Sequence, residues 1–424
     1  MSELTMEKFL QDLSLTPDCY ELDTEIQRFR AEMEKGLAGE PASLYMIPTF
    51  ISPVSAALAD QSIIVLDAGG TNLRVGYVTF RNGKADQVEF QKYPLPGTAG
   101  PLTCEQFFDA VAEKLAPYLD RSDKVGFCFS YVAQCMENRD AKMVAFCKEV
   151  QVTGAEGVEI CRALDEAIRR RGITKTYRYV QLNDTVATQL GGMAAVEREK
   201  YDAFLGFILG TGINCCYSEQ TANIPKYTGT AYTEPEMIVN MEAGCYAGFA
   251  KGAVDYAIDS RSAIPGDHQA EKLMSGAYLG QILAEAIRLA AKAGLLKTRL
   301  PEDCTKLHLK EINLFLDGKP GDLDGLIDPA DCEAVRRMIE CIFRRTARLM
   351  AVVFTAVALQ RDLGRVKPVC VVVEGSTYQK STAMQTYLAE ELAAVEKTWG
   401  CRFEVICAEN PTLTGSAFAA ASNL

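Results

Sequence analysis

The sequence predicts an α/β protein of two domains that share elements across a cleft, and three observations carry that prediction. Its 424 residues point to two cores, each serving a domain of about 150 to 250 residues. Apolar β-prone runs alternate with segments of helical period, and no low-complexity tract or disordered linker separates the halves. Two separate segments, Ile63 to Val78 and Phe204 to Tyr217, each read as an apolar strand, a glycine-rich turn and a second β-prone run.

The first of these, IIVLDAGGTNLRVGYV, organises the chain. Asp67 ends its apolar strand, Gly69-Gly70-Thr71-Asn72 makes a tight turn, and Leu73 starts a strand that runs back. Glycines without a Cβ let backbone N–H groups approach an anion, and Thr71 and Asn72 add side-chain donors. A Walker loop or a dinucleotide fingerprint needs a helix directly after the glycines, whereas Arg74 to Phe80 is β-rich. The second segment repeats the arrangement with Gly210-Thr211-Gly212. Two such turns suit a polyanion of the nucleoside-triphosphate kind held between similar halves.

A net charge of −12 and a pI near 5.0 argue against nucleic acid or an anionic membrane as the main partner. The fifteen cysteines form no Cys-X-X-Cys pair, and Cys128, Cys215, Cys216 and Cys370 sit in apolar runs, so they read as small buried side chains in a reducing compartment. The opening MSELTMEKFLQDL has no signal-peptide core, and the apolar run Leu349 to Leu359 is too short to span a bilayer. A cytoplasmic location is expected. Two histidines, His268 and His308, leave little room for a His-dependent triad or a multi-His metal site.

In chain order, residues 4 to 37 have helical spacing and stop at Gly39. The first hairpin follows, with a third strand ending near Pro94. A helix is expected over 105 to 119, a strand over Lys124 to Tyr131, a helix over Glu156 to Arg171, and a strand over Tyr177 to Leu182 that runs into Asn183-Asp184. Beyond the second hairpin come a strand at Met237 to Asn240, one long helix over 269 to 293 and another over 331 to 361. Val369 to Val373 is a strand entering Glu374-Gly375-Ser376, Phe403 to Cys407 closes the sheet, and a last helix starts near 415. The domains expected are 61–185, with the C-terminal helix of about 415–424 returning to it, and 1–60 with 186–414.

Asp184 is the best candidate for a general base, because it follows an apolar strand and projects from the strand end where α/β sites form. Taken alone, Asn183-Asp184 also fits a plain turn after a strand. Ser130, Lys148, Asn214, Glu242 and Glu271 are polar groups that could hold a polyol, and each could equally cap a turn, favour a helix dipole or face solvent.

The order of these pieces resembles the hexokinase family, the two-domain sugar kinases of the actin-like ATPase superfamily. The resemblance runs from about residue 24 to the C-terminus through MEKGL at 33–37, MIP at 46–48, LDAGGTNLRV at 66–75, FCFSYVAQ at 127–134, LNDTVAT at 182–188, ILGTGINCCY at 208–217, MIVNMEAG at 237–244, EKLMSGAYLG at 271–280 and EGSTYQK at 374–380. It implies an actin-like ATPase (ribonuclease H-like) fold with an interdomain cleft. It implies ATP-dependent phosphorylation of a hexose, glucose first, at its 6-hydroxyl, feeding glycolysis, with lobes that close on the sugar. Asp184 would be the base, with Lys148 beside it in catalysis, and Lys148, Ser130, Asn183, Asp184, Asn214, Glu242 and Glu271 would contact the sugar. Gly69, Gly70, Thr71, Asn72 and Arg74 would hold the terminal phosphates of ATP, with Gly210, Thr211 and Gly212 on the second hairpin. Asp67 would orient hydrated Mg²⁺, and Gly375, Ser376, Gly415 and Ser416 would surround the nucleoside.

The family's Trp-Thr-Lys-Gly-Phe sugar loop is here Phe146-Cys147-Lys148-Glu149-Val150, its Asp-Gly-Ser/Thr is Glu374-Gly375-Ser376, and its Gly-Ser-Gly-Lys-Gly run is Pro411-Thr412-Leu413-Thr414-Gly415. These departures leave open another hexose, an amino sugar or another phosphoryl donor, and, in a different class, a sugar sensor without transfer.

Overall fold

The computed structural model describes residues 5–53, 58–146 and 150–424. Its backbone divides into two compact units, one of Met46–Phe207, Cys215–Met241 and Val405–Leu424, the other of Met1–Tyr45, Ile208–Asn214 and Glu242–Glu404.

The first unit is built on a five-stranded sheet in the order Arg178–Leu182, Lys124–Phe129, Gln61–Gly69, Asn72–Arg81, Lys84–Pro94. The first three strands are parallel, with Leu182 opposite Cys128 and Cys128 opposite Asp67, and the last two return as antiparallel hairpins. Strand alternation assigns the faces. Val125, Phe127 and Phe129 join Ile64, Leu66 and Ala68 in a core with Phe107, Phe108, Leu164 and Ile168 from the Cys104–Leu115 and Ile160–Arg170 helices. Both helices begin under side-chain control: Thr103 and Gln106 form a capping box, and buried Asp140 accepts from the Cys161 and Arg162 N–H groups at 2.8 and 3.1 Å.

On the opposite face Gly126 lies against Ser416 of the C-terminal helix Pro411–Asn423. That helix also packs on Asp184–Ala195, backbone against backbone: a Cβ on Gly415 would stand 1.8 Å from the Ala187 carbonyl oxygen. Only glycine fits there. The helix starts at Pro411 rather than near 415, since proline in the first turn costs no hydrogen bond. A separate antiparallel ladder joins Ile213–Gln220 to Glu236–Asn240, and Ile47–Pro48 pairs with the far side of the latter.

The second unit is mainly helical. Cys332–Arg361, a helix of 30 residues, is packed by Leu22–Ala38, Leu279–Lys292 and Thr382–Trp399. The single helix expected over 269–293 is two, Gln269–Met274 and Leu279–Lys292. The chain breaks because Gly276 and Ala277 give their N–H groups to the carbonyls of Gly210 and Thr211, at 2.8 and 3.2 Å, instead of to a continuing helix. Among the described residues, no helix is long and apolar enough to cross a membrane, and the cysteines form no disulfide and are mostly buried.

Arg345 is the largest fully buried side chain of the described residues. Its Nη1 donates to both oxygens of Asp255 at 3.0 Å, and Nη2 reaches the Leu273 carbonyl at 3.3 Å. Burial raises the Tyr20 phenol beside this pair to about 12, against the opposing pull of Arg345. Removing one partner of a buried pair strands the other charge. Asp255→Ala should therefore lower unfolding free energy by about 3–5 kcal/mol, read as a shifted midpoint in chemical denaturation.

Candidate active site

The parallel register puts the carboxyl ends of three strands of the first unit in one row, so Asp67, the Cys128–Ser130 segment and Asn183–Asp184 emerge side by side. Burial first, then the Asp67 and Asp184 carboxylates, push the Cys128 thiol well above its ordinary range. Gly69 pairs with Asn72, leaving Gly70 (φ 58°) and Thr71 as the turn. Tyr131 Oη donates to the Gly70 carbonyl at 2.6 Å, and Leu95 N donates to the Thr71 carbonyl at 2.9 Å, so the carbonyls are engaged and the turn is held from two sides. Thr71 and Gly70 are exposed.

Asp67 is buried. Its Oδ2 accepts from Thr412 Oγ1 at 2.8 Å and pairs with the Arg74 guanidinium, which also donates to Thr412 Oγ1 at 2.9 Å. The triad fixes the Arg74 cation beside the Gly70–Thr71 turn. Asn183 caps the Asp184–Ala195 helix, its Oδ1 accepting from Thr185 N at 2.9 Å. This places Asp184 in the first helical turn, half-buried, with Thr185 Oγ1 donating to its Oδ1 at 3.2 Å. Gly415 and Ser416 lie in the packing of the C-terminal helix, where Ser416 Oγ donates to the Thr412 carbonyl at 2.6 Å.

The second unit gathers the remaining residues. Asn214 Oδ1 accepts from Ala243 N at 3.1 Å, next to Glu242, and Glu271 Oε2 accepts from Ile213 N at 3.3 Å. Asn214, Glu242 and Glu271 thus converge on one backbone patch. Glu242 itself is held left-handed, at φ 54°, which strains a non-glycine residue by about 1–3 kcal/mol. Burial pushes the Glu271 carboxyl up, against His268 and the Ile213 N–H, which pull it down. The second turn is a three-way junction: the Gly210 carbonyl accepts from Gly276 N at 2.8 Å and from the side-chain Thr377 Oγ1 at 2.9 Å. Gly375 abuts the same turn at φ 122°, and any Cβ on it would stand 2.3 Å from the Leu209 carbonyl oxygen. Thr211 and Ser376 remain exposed at its edge.

Lys148, with Cys147 and Glu149, falls outside the described residues. Phe146 just before it is anchored among Phe107, Phe129 and Tyr131, with ring centroids 5.2, 5.8 and 5.0 Å away. Two further residues belong to the site. Thr412 is 345 positions from Asp67 in sequence and gave no local signal beyond its place in the run that replaces the family's glycines. Tyr131 follows Ser130 at a strand end, which was its only signal.

In fold this is a two-domain α/β protein of the actin-like ATPase type, the class that includes the sugar kinases. The chain aligns with a hexokinase from Schistosoma mansoni, solved with glucose, at a TM-score of 0.81 and 24% identity over 98% of each chain. A ROK hexokinase from Thermus thermophilus aligns over 85% of this chain at a TM-score of 0.51 and 17% identity. The family models described as hexokinase match residues 5–194 and 204–422. Hexokinase-1 of Schizosaccharomyces pombe is 30% identical, covering 99% of this chain and 92% of that protein. The chain belongs to the hexokinase family. Human hexokinase-2 is also 30% identical, over 84% of this chain but 41% of its own length, so the chain spans less than half of that relative.

The Gly375 junction yields a test. Gly375→Ala meets both the positive φ and the Leu209 carbonyl, so it should cost more than the 1–3 kcal/mol of backbone strain alone. Thermal unfolding of the variant measures that cost, and Ser376→Ala, exposed beside it, should leave the transition unmoved.

Proposed function

We propose that this chain transfers the γ-phosphoryl group of ATP to the 6-hydroxyl of a hexose, with glucose as the first substrate to test. One observation carries the reading: in a hexokinase-family chain, Asp67, Ser130, Asn183 and Asp184 share one strand-end row with an exposed Gly-Thr turn. Asp184 accepts the hydroxyl proton while the sugar oxygen bonds to the γ-phosphorus. The bond to the β,γ-bridging oxygen breaks, and its electron pair leaves with ADP. Ser130, Asn183, Asn214, Glu242 and Glu271 orient the sugar hydroxyls, with Lys148 assigned there by the family pattern. The Gly69–Asn72 turn and Arg74 meet the terminal phosphates, as does the Gly210–Gly212 turn, and Gly375 and Ser376 border the nucleoside. Gly415 and Ser416, which the family pattern assigns to the nucleoside, serve by seating the C-terminal helix whose Thr412 reaches Asp67.

The Asp67 carboxylate, an oxygen donor at the edge of the phosphate turn, suits a hard cation that keeps most of its waters. Mg²⁺ held there would neutralise the β- and γ-phosphates. As lobes we propose 61–185 with the C-terminal helix, and 1–60 with 186–414; what supports the first is the packing of Pro411–Asn423 on the five-stranded sheet.

With Mg·ATP and glucose, ADP and hexose 6-phosphate should appear in equal amounts, and no turnover on any hexose would overturn the reading. Asp184→Ala should lower kcat by about 10²–10⁴-fold while glucose binding, read by calorimetry, persists. Glu271 carries its own pH signature. Its raised carboxyl protonates at higher pH than a free glutamate, so hexose affinity should fall as pH drops through that raised value. Glu271→Gln should weaken binding and flatten this acid limb.

A further inference from the structure

We propose that Cys245, Asp267 and His268 form a binding site for a thiophilic divalent cation of the zinc class. Among the described residues they are the one grouping of three such side chains whose donor atoms all lie within 4.8 Å of one another. Thiolate, imidazole and carboxylate together select a borderline-soft ion over Mg²⁺ or Ca²⁺.

The imidazole supplies the second observation. His268 Nδ1 is buried and makes no hydrogen bond, although Asp267 Oδ1 is 3.2 Å away. The two atoms are near each other but not aimed at each other. Oδ1 instead accepts from the His268 backbone N at 2.8 Å, which fixes the carboxylate beside the ring. Metal–ligand lengths of about 2.0–2.3 Å place tetrahedral donors about 3.3–3.6 Å apart, so this pair already has the spacing of two ligands of one ion. The thiol completes the set by closing a gap of at most 4.8 Å, leaving its contact with the Tyr45 hydroxyl. Water takes the fourth position, reached through the exposed Asp267 side.

The backbone is arranged for the site. His268 is left-handed at φ 48°, a strained conformation at the N-cap of the 269–274 helix, and its donor atom lies within 4.8 Å of that of Cys245. Ala270 N donates to the Tyr246 carbonyl at 3.0 Å, tying the two ligand segments together. Cys245 N donates to the Glu242 carbonyl at 3.0 Å, and His268 precedes Glu271 by one turn. An ion here would fix the segments that carry Glu242 and Glu271. The site does not depend on phosphoryl transfer and stands or falls separately from it.

Cobalt titration of the purified full chain tests the proposal. One Co²⁺ per chain should bind, with thiolate-to-cobalt charge transfer and the visible bands of tetrahedral coordination, and Zn²⁺ should displace it. Cys245→Ser should abolish the charge-transfer band, and His268→Asn, which tolerates the left-handed backbone, should weaken binding at least tenfold. Far-UV circular dichroism checks that both variants fold, and Cys407→Ser, at an exposed cysteine, should change nothing. X-ray absorption of the zinc-loaded wild type needs no variant: one sulfur and at least one imidazole are expected. No bound ion, no sulfur ligand, or binding unchanged by both substitutions would overturn the site.

Discussion

Parallel pairing of Gln61–Gly69, Lys124–Phe129 and Arg178–Leu182 is the constraint on which the first unit's chemistry depends. A parallel ladder makes all three strands end on the same edge, and its register makes Asp67, Cys128 and Leu182 neighbours. A slip of one residue would turn Asp67 into the core face occupied by Leu66 and Ala68 and carry Asp184 away from Ser130. The glycine contacts of the C-terminal helix serve the same end. Because Gly415 admits the Ala187 carbonyl at the closest approach, Thr412 can reach Asp67 and hold Arg74 at the turn.

The second unit solves a different problem, gathering acceptors from a strand start, a turn and a short helix. Asn214, Glu242 and Glu271 come from three segments, and backbone N–H groups of Ala243 and Ile213 bring them together. Glu242 and His268 both hold left-handed backbone beside that bonding. The same unit also presents Cys245, Asp267 and His268 in metal-ligand spacing. The register puts Asp184, the proposed base, just after the strand Arg178–Leu182.

The hairpins and helix periods were legible because they rest on local pattern: Gly70 and Thr71 occupy the turn as read, and Cys332–Arg361 matches its periodicity. The break at 275–278 was not legible, since it depends on carbonyls of Gly210 and Thr211 more than 60 residues away. Family order made Asn214, Glu242 and Glu271 legible, which spacing alone did not.

By itself the sequence determined the α/β class, the two Gly-Thr turns and the strand-end position of Asp184, because side-chain alternation and glycine placement act over a few residues. Only the tertiary structure decided that Arg74 is held by Asp67 and Thr412, that Gly415 and Ser416 pack a helix, and that Cys245 meets Asp267 and His268. Those contacts join residues far apart in the chain, and no local preference encodes which distant backbone a turn will meet.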